Sequence, residues 1–420
     1  MKALIITFGS TGDVYPMLGL ATALQAAGHE VCLATAQLFA QEIEHENIPF
    51  YALPPDWDLD AFKAFTQKLS ATDNQLKQFG LIYDKFGPFI DTSFESVSAK
   101  LQDFDILIST YLFPFFSSVA EAQHKPFVTV AFCHNTVPRW DRPPENIVPL
   151  TWLPRTWQRQ WNYLAWRLAD RVLSQRIKRS IQRFSTSIRP DTIRGFLFEP
   201  SEQVLVASSK AWMQGAEPLD KRFHMIGYLR HQPPETSEGC ARLDAFCQGQ
   251  PVPILTFGSM TAHDVQTQLN HFLSNWPKDR KLIIQAGWAD LKTECLNENT
   301  HILMLEKHPH NQLFPYASVV VHHGGAGTTA SVLHTAKPHI IIPHLGDQYF
   351  WASEVVTHGL GLKLKYKQWS KKLCAAIEHI EQNECYQQRA NTFAETIRKE
   401  PGGQNAVRLL EEILNEFQPE

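Results

Sequence analysis

Two stretches of this chain carry the same short pattern, and this repeat constrains the fold more than any other feature. An apolar, β-branched run at residues 3–6 leads into Thr7-Phe8-Gly9-Ser10, and a second apolar run at residues 252–255 leads into Thr256-Phe257-Gly258-Ser259. Runs of this kind are typical of buried parallel strands. Both copies open a segment in which strand-like and helix-like stretches alternate, so each predicts the start of βαβ units with right-handed crossovers.

The alternation continues after both copies. After the first, Pro16 is predicted at the first helical position, a helix spans residues 17–27 and ends at Gly28, and residues 31–35 form the next strand. A chain of 420 residues exceeds the size at which single cores stop growing. The sequence therefore predicts an α/β protein with two Rossmann-like domains. The strands predicted after the second copy lie at residues 281–286, 301–305, 318–322 and 338–343.

The domain boundaries are predicted from composition. A polar stretch rich in proline and glycine is typical of a linker, and the last residues form one amphipathic helix. We expect an N-terminal domain at residues 1–230, a linker at 231–250, a C-terminal domain at 251–402 and the final helix at 403–420.

Residues 152–189 are rich in Trp, Arg and Leu and poor in acidic residues, with helical periodicity. Two interpretations remain open. The segment is either a basic amphipathic face that touches a membrane or a lipid acceptor, or a helix pair that packs on the N-terminal domain with solvated arginines.

Composition excludes several classes of protein. The chain is 44% hydrophobic and 20% charged, as globular proteins are, and its net charge of −4 gives no reason to expect nucleic acid as a partner. No apolar run reaches the ~20 residues of a membrane span, and no signal peptide is predicted. The seven cysteines form no CxxC pair, so neither a disulfide framework nor a zinc site is expected. A reducing cytoplasm fits this pattern, with peripheral membrane contact as an option.

The strongest chemical signal is a glycine-rich turn at residues 322–329, His-His-Gly-Gly-Ala-Gly-Thr-Thr, after an apolar strand and at the start of a helix. Glycines let a ligand approach the backbone, and the free N–H groups of a helix N-terminus favour an anion. The two histidines and two threonines add side-chain donors. The motif is neither a GxGxxG turn nor a P-loop. It predicts a diphosphate site; the alternative is a turn needed only for packing.

Two carboxylates add to this signal. Asp347 and Gln348 follow the next strand, where a carboxylate beside an amide can bind sugar hydroxyls, or where Asp347 can cap a helix. Asp13 follows the first strand and could take a proton from an acceptor, or cap the helix near Pro16.

Several of these motifs together resemble the GT-B glycosyltransferases of family 1, most closely the branch with sterol 3-β-glucosyltransferases and vancomycin-group antibiotic glycosyltransferases. The similarity spans almost the whole chain. The resembling segments are residues 9–16, Pro309-His310 with Leu313-Phe314-Pro315, residues 322–329, and Gly346-Asp347-Gln348-Tyr349-Phe350-Trp351.

The resemblance implies a GT-B fold, in which two facing Rossmann-like domains with parallel sheets enclose an interdomain cleft and the final helix crosses back to the N-terminal domain. It implies an inverting UDP-glycosyltransferase that needs neither a metal nor a cofactor and moves a hexose, with glucose expected. Asp13 matches the general base, and Asp347 and Gln348 match the sugar contacts. The residues that match donor phosphate contacts are Ser10, Ser259, His323, Gly324, Gly325, Ala326, Gly327 and Thr328.

The donor base and the acceptor stay open. Leu305 stands where plant members have a tryptophan that stacks on uracil, and His308 stands where they have a glutamine that binds the nucleoside. The co-substrate is therefore a UDP-sugar or, as an alternative, a dTDP-sugar carrying rhamnose or a deoxysugar. The acceptor is expected to be a hydroxyl of a sterol-like, lipid or other apolar molecule. Aromatic loops at residues 83–88, 111–116 and 132–140 could bind it, or could belong to the core.

Two other functions share this architecture. A nucleotide-sugar epimerase would need acid and base groups around the sugar, and a catalytically silent partner protein would have lost the base. The presence of Asp13 and the set of motifs favour the transferase.

Overall fold

A computed structural model describes residues 1–417 except 73–74, 146, 232–236, 257–263, 288–300 and 307. The chain forms two compact units. The first unit comprises Met1–Asp58, Leu76–His231 and Glu400–Glu420, and the second comprises Leu59–Gln75 and Gln232–Lys399. The inclusion of Leu59–Gln75 in the second unit has no counterpart in the sequence-based division.

The first unit is built on a sheet of seven parallel strands, numbered here in chain order. The strands are β1 Lys2–Ile6, β2 Glu30–Thr35, β3 Phe50–Ala52, β4 Ile106–Thr110, β5 Phe127–Ala131, β6 Gln203–Val206 and β7 Phe223–Met225. They lie side by side in the order β3-β2-β1-β4-β5-β6-β7. Its helices are α1 Thr11–Ala26, α2 Ala40–His45, α4 Gln75–Phe86, α5 Ile90–Leu101, α6 Ser117–Ala122, α7 Arg155–Phe184 and α15 Gly402–Glu416.

The second unit contains a sheet of six parallel strands. These are β8 Val252–Thr256, β9 Leu282–Gln285, β10 Ile302–Leu305, β11 Ala317–His322, β12 His339–Ile341 and β13 Gly361–Lys363. Their order, β10-β9-β8-β11-β12-β13, is that of a doubly wound Rossmann sheet. The helices are α3 Leu59–Ser70, α8 Ser237–Cys247, α9 Val265–Ser274, α10 His310–Leu313, α11 Ala326–His334, α12 Gln348–Thr357, α13 Trp369–Glu381 and α14 Glu384–Ile397.

The predicted α/β class with parallel sheets is confirmed in both units. The strands predicted from apolar runs all form, with bounds that shift by at most two residues at an end. Such runs are reliable because a strand covered on both faces must be apolar at every position rather than at alternate ones.

The first helix begins earlier than the sequence predicted. α1 starts at Thr11, which leaves Pro16 inside the helix rather than at its first position. Ser10 is the N-cap, and its side chain accepts from the Gly12 amide at 3.2 Å. Asp13 completes a capping box by accepting from the Ser10 amide. The first N–H groups of a helix have no acceptors within the helix, and these caps supply two of them. The capping therefore stabilises a helix that starts at Thr11, five residues before Pro16.

Aromatic side chains fill one face of the first sheet. Tyr83 and Phe113 are 2% exposed, and Phe116 is fully buried. The Tyr83 hydroxyl donates to the carbonyl of Leu112 at 2.7 Å, and Phe113 packs edge-on against Phe8. These members of the predicted acceptor loops therefore belong to the core.

His134, in the predicted acceptor loop at residues 132–140, is also buried. It is 1% exposed, and its ring stacks on Trp212. Its Nδ1 lies 3.3 Å from the Ser208 hydroxyl.

In residues 152–189, where a helix pair was one of the two interpretations, the structure has one helix of 30 residues, α7. Its inward side buries Ala165, Trp166, Ile177 and Ile181. The prediction of two helices was wrong because the only residue types that break a helix, proline and glycine, are absent from residues 155–184.

The predicted linker contains a structured part. Residues 237–247 form α8, and Leu243 and Cys247 of this helix lie in a core of the second unit with Ile254. The predicted final helix forms as α15 and packs on α1. Asn405 Nδ2 in this helix donates to the carbonyl of Ile226 at 2.9 Å.

No helix in the described ranges is both long enough and apolar enough to span a lipid bilayer.

Candidate functional site

The strand order of the second unit points to one edge of its sheet. The order reverses between β8 and β11, and ligands of doubly wound sheets bind beside the carboxyl ends of the strands at such a reversal. The turn after β11 carries the predicted residues His323, Gly324 and Gly325. The turn after β8 would carry Ser259, which lies outside the described residues.

His322, the last residue of β11, holds the turn that follows this strand. The Gly324 amide donates to His322 Nδ1 at 3.1 Å, and His322 Nε2 lies 3.0 Å from His339 Nδ1. Because Nδ1 accepts, we assign the proton of His322 to Nε2, which then donates to His339. The sequence had counted His322 among the ligand donors; its ring instead turns into the sheet, where it is 1% exposed.

The two glycines of the turn are required by close contacts. Gly324 has φ of +93°, and a Cβ there would lie 2.6 Å from Ile341 Cγ2. A Cβ on Gly325 would lie 2.5 Å from His323 Nε2. Any larger residue would therefore displace either β12 or the His323 ring.

The N-terminus of α11 presents amides without side-chain caps. Gly325 is the N-cap, and within the described residues no side chain accepts from the helix start there. The first helical bond runs from the Thr329 amide to the Gly325 carbonyl at 2.9 Å. The helix itself thus offers no acceptor to the amides of Ala326, Gly327 and Thr328. A Cβ on Gly327 would meet nothing within 4 Å, so space is open there. This end of the helix can receive an anion.

His323 lies beside these amides in its neutral form. Burial, followed by the nearby His344 and His310, lowers the pKa of His323 to about 3. Its Nδ1 is buried and has no hydrogen-bond partner among the described residues. A neutral imidazole with an unpartnered nitrogen can hydrogen-bond a phosphate oxygen without carrying charge itself. His323 also lines a small hollow with Leu255, Thr256, His322, Ile342, His344 and Trp369.

Asp347, predicted as a sugar contact, precedes α12 without capping it. Its Oδ2 accepts from Trp351 Nε1 at 3.2 Å. Burial raises the pKa of the Asp347 carboxyl to about 6, although the bond from Trp351 lowers it. Gln348 is 4% exposed, and its Oε1 accepts from the amides of His344 and Leu345 at 2.8 and 3.2 Å. The carbonyl end of Gln348 therefore shapes the turn between β12 and α12.

His308, the predicted nucleoside contact, follows β10 at the same edge. Gln285 Nε2 donates to the His308 carbonyl at 2.7 Å, and the Thr256 hydroxyl donates to Gln285 Oε1 at 3.0 Å. These bonds join the carboxyl ends of β8 and β9 to the segment after β10. Burial lowers the pKa of His308, and its Nε2 has no partner in the described part of the chain.

Asp13 and Ser10 lie in the first unit, where the strand order reverses between β1 and β4. The Ser10 amide donates to Asp13 Oδ2 at 2.8 Å, and the Ser10 hydroxyl lies 3.3 Å from the same oxygen. A Cβ on Gly9 would lie 2.2 Å from Asp13 Oδ2, so glycine makes room for the carboxylate. The sequence proposed capping of a helix near Pro16; Asp13 instead caps a helix that begins at Thr11.

Three residues that support these groups were given no role in the sequence analysis. His339 receives the bond from His322, Trp351 holds Asp347, and the His344 amide holds Gln348. Two carried a usable signal: Trp351 is one helical turn after Asp347, and His339 begins an otherwise apolar strand.

The buried histidines predict an acid-sensitive second unit. Burial lowers the pKa values of His323 and His339 to about 3 and those of His310 and His344 to about 4. An unfolded histidine has a pKa near 6.5, so below that pH the unfolded chain binds more protons and stability falls as pH drops. Each group can contribute up to about 1.4 kcal/mol per pH unit.

Hydrogen exchange of the full chain at about pH 7.5 and about pH 5.5, corrected for intrinsic rates, measures this effect. We expect β11 and β12 to lose at least about tenfold in protection on acidification. Protection of these strands that stays constant across the two pH values would contradict the prediction.

Two family models match the chain, one in each half. Residues 3–139 match the glycosyltransferase family 28 N-terminal domain. Residues 289–413 match the C-terminal domain of erythromycin biosynthesis protein CIII-like proteins. Together with the two Rossmann-like sheets, these matches show that the chain is similar to glycosyltransferases of the GT-B fold in both of its halves.

Similar proteins point to the same class. A sterol 3-beta-glucosyltransferase of Arabidopsis thaliana is 28% identical over 86% of this chain and 59% of its own length. A sterol 3-beta-glucosyltransferase of Saccharomyces cerevisiae is 26% identical over 99% of this chain and 35% of its own length. The chain thus spans about three fifths of the first relative and about a third of the second.

A solved glycosyltransferase of Streptomyces sp. SF2575, complexed with thymidine diphosphate, superimposes with a TM-score of 0.64 at 16% identity, over 98% of this chain and 99% of that one. At this identity the match supports the fold alone.

Proposed function

We propose that this protein transfers one hexosyl group, with inversion, from a nucleoside diphosphate sugar to a hydroxyl of an apolar, sterol-like or lipid acceptor. The observation that carries the proposal is the start of α11, where amides without side-chain caps lie beside the neutral, buried His323. A diphosphate gains charge as it leaves, and fixed N–H donors stabilise that charge with little reorganisation.

In this proposal three sets of groups in the second unit bind the diphosphate, the sugar and the nucleoside of the donor. The phosphate oxygens accept from the amides of Ala326, Gly327 and Thr328 and from His323. The Asp347 carboxylate accepts from sugar hydroxyls, while His308 contacts the nucleoside. The turn held by Gln348 supports this arrangement, because the amides of His344 and Leu345 donate to the buried side-chain oxygen of Gln348 and so fix the backbone beside Asp347.

Asp13 supplies the base. The acceptor oxygen attacks C1 of the sugar, the bond from C1 to the phosphate oxygen breaks, and its electron pair leaves with the diphosphate. The acceptor proton passes to the Asp13 carboxylate, whose position the Ser10 amide fixes at 2.8 Å. Because N–H groups stabilise the negative charge of the leaving diphosphate, the proposed step needs no divalent metal.

UDP-glucose is the proposed donor, and a dTDP-sugar is the second candidate. Two relatives named sterol 3-beta-glucosyltransferases favour glucose and a sterol-like acceptor. The Streptomyces protein was solved with thymidine diphosphate, so a dTDP-sugar is included as the second candidate.

A matrix of donors and acceptors tests the proposal. The full chain is incubated with UDP-glucose or dTDP-sugars and with sterol, polyphenol, macrolide or hydroxy-fatty-acid acceptors, and products are detected by mass spectrometry. We expect a glycosylated acceptor with UDP-glucose. A chain that binds nucleotide but glycosylates none of the acceptors, or that interconverts the sugar without transferring it, would contradict the proposed activity.

The raised pKa of Asp347 predicts that kcat/KM for the donor falls at acidic pH. With a pKa of about 6, the carboxyl is mostly protonated at about pH 5 and loses its capacity to accept from sugar hydroxyls. We expect kcat/KM for the donor to fall about tenfold between about pH 7 and about pH 5. In Asp347→Asn, kcat/KM should be low and should lack this fall at acidic pH. The same pH dependence in wild type and variant would assign the fall to another group.

A further inference from the structure

The first half of α7 and the segment before it expose large apolar side chains. Trp152 is 78% exposed, Trp157 67%, and Leu164 and Leu168 60% each. Isolated exposed apolar residues are ordinary, but a contiguous set marks an interaction surface. The set, called the apolar stripe below, comprises Val148, Trp152, Trp157, Trp161, Leu164, Leu168 and Val172.

The spacing of these residues puts them on one face of the helix. From Trp157 to Val172 the members of the apolar stripe recur every three or four residues, which is the period of one helical face. Asn162 and Trp166 are buried, and their positions lie on the other side of the helix. The helix thus packs on its own unit with one face and presents the apolar stripe outward.

The segment before the helix is held in place by side chains of α7. Asn162 Nδ2 donates to the Trp140 carbonyl at 2.8 Å, and Trp166 Nε1 donates to the Arg142 carbonyl at 2.9 Å. Trp161 Nε1 donates to the Val148 carbonyl at 3.2 Å. Val148 and Trp152 therefore lie in a segment whose backbone is tied to the helix.

The charge of α7 is strongly one-sided. The helix carries seven arginines and one lysine against a single acidic residue, Asp170, in a chain whose net charge is −4. Asp170 Oδ1 accepts from the amides of Phe196 and Leu197 at 3.0 and 2.7 Å, so it is committed to a neighbouring loop. Arg171 and Arg179 are exposed.

We propose that the apolar stripe docks this protein on the surface of an anionic lipid bilayer. Trp and Leu side chains enter the boundary between headgroups and acyl chains, while the arginines of α7 contact anionic headgroups. A second copy of the chain fits less well, because a twofold contact would bring two strongly cationic helices together. An anionic bilayer satisfies both the apolar area and the charge.

This inference stands apart from the proposed enzymatic activity, since lipid binding needs neither donor nor acceptor. If the acceptor is a membrane lipid, docking would bring the enzyme to it.

Vesicle flotation of the full chain tests the inference. Vesicles of phosphatidylcholine alone are compared with vesicles that contain about 30% phosphatidylserine, at low salt and at about 0.5 M salt. We expect flotation with the anionic vesicles, weakened by salt. The triple variant W157S/L164S/L168S should lose flotation, whereas W157F/L164M/L168M, which stays apolar at the same positions, should keep it. Both variants should keep the thermal stability of the wild type, because the changed side chains are exposed.

Reversing the charge of exposed arginines on α7 is the second part of the test. R171E/R179E should weaken binding to anionic vesicles by about a factor of ten or more. K371E/K372E, which makes the same change in charge at exposed positions of α13, should not. Absence of wild-type flotation with either vesicle would overturn the proposal. So would a dimer, seen by light scattering, that the serine variant abolishes, because a second copy would then cover the apolar stripe.

Discussion

Replacing Asp13 with asparagine is expected to lower the rate of glycosyl transfer by a factor on the order of 10²–10⁴. The carboxylate is proposed to take the acceptor proton as the sugar bond breaks, and an amide cannot do so at neutral pH. Asparagine has nearly the same shape, and its Oδ1 can still accept from the Ser10 amide, as Asp13 does at 2.8 Å. The capping of α1, and with it the fold of the first unit, should therefore be retained.

The measurement compares kcat for transfer with the Kd for the nucleotide. In Asp13→Asn we expect kcat to collapse while the Kd changes less than about threefold. Glu384→Gln removes a charge from the first turn of another helix, α14, and should leave both values unchanged. Unchanged transfer by Asp13→Asn would remove Asp13 from the mechanism, and loss of nucleotide binding would give it a structural role instead.

Replacing His323 with alanine is expected to lower kcat/KM for the donor by about 10²–10³. The imidazole lies beside the start of α11 with its Nδ1 unpartnered among the described residues, so in this account its removal deletes one fixed donor to the diphosphate. Because burial lowers its pKa to about 3, the free protein presents His323 as a neutral group. His323→Asn, which keeps a neutral N–H donor, should thus restore part of the lost activity.

His379→Ala serves as the control, because this histidine is exposed on α13. It should match the wild type. If His323→Asn were as inactive as His323→Ala while both variants were folded, a neutral hydrogen bond would not explain the role of the residue. If His323→Ala kept full kcat/KM, the diphosphate would be bound without this side chain.

Much of the fold could be predicted from the sequence because its signals are local. The apolar runs of β1, β8 and β11 lie on single strands, and the turns after β1 and β11 carry glycines for close contacts that can be verified, as at Gly9 and Gly324. The start of α1 was misplaced because Pro16 was taken as a first-turn residue, although the capping pair Ser10 and Asp13 was visible in the sequence.

What the sequence did not predict depends on contacts between distant residues. The bond between His322 and His339 joins neighbouring strands seventeen positions apart, and only the sheet register brings their rings together. The burial of Tyr83 and Phe113 likewise follows from the packing of the first sheet, since an aromatic residue in a core and one in a binding loop look the same in sequence. Nothing in the composition of Leu59–Gln75 indicates that this segment belongs to the second unit.

The most direct test is a crystal structure of the full chain with UDP bound. The account predicts that the β-phosphate oxygens lie within about 2.7–3.2 Å of the amide nitrogens of Ala326, Gly327 or Thr328 and of a ring nitrogen of His323. A diphosphate bound at another edge of the second sheet, with the start of α11 in contact only with solvent, would contradict it.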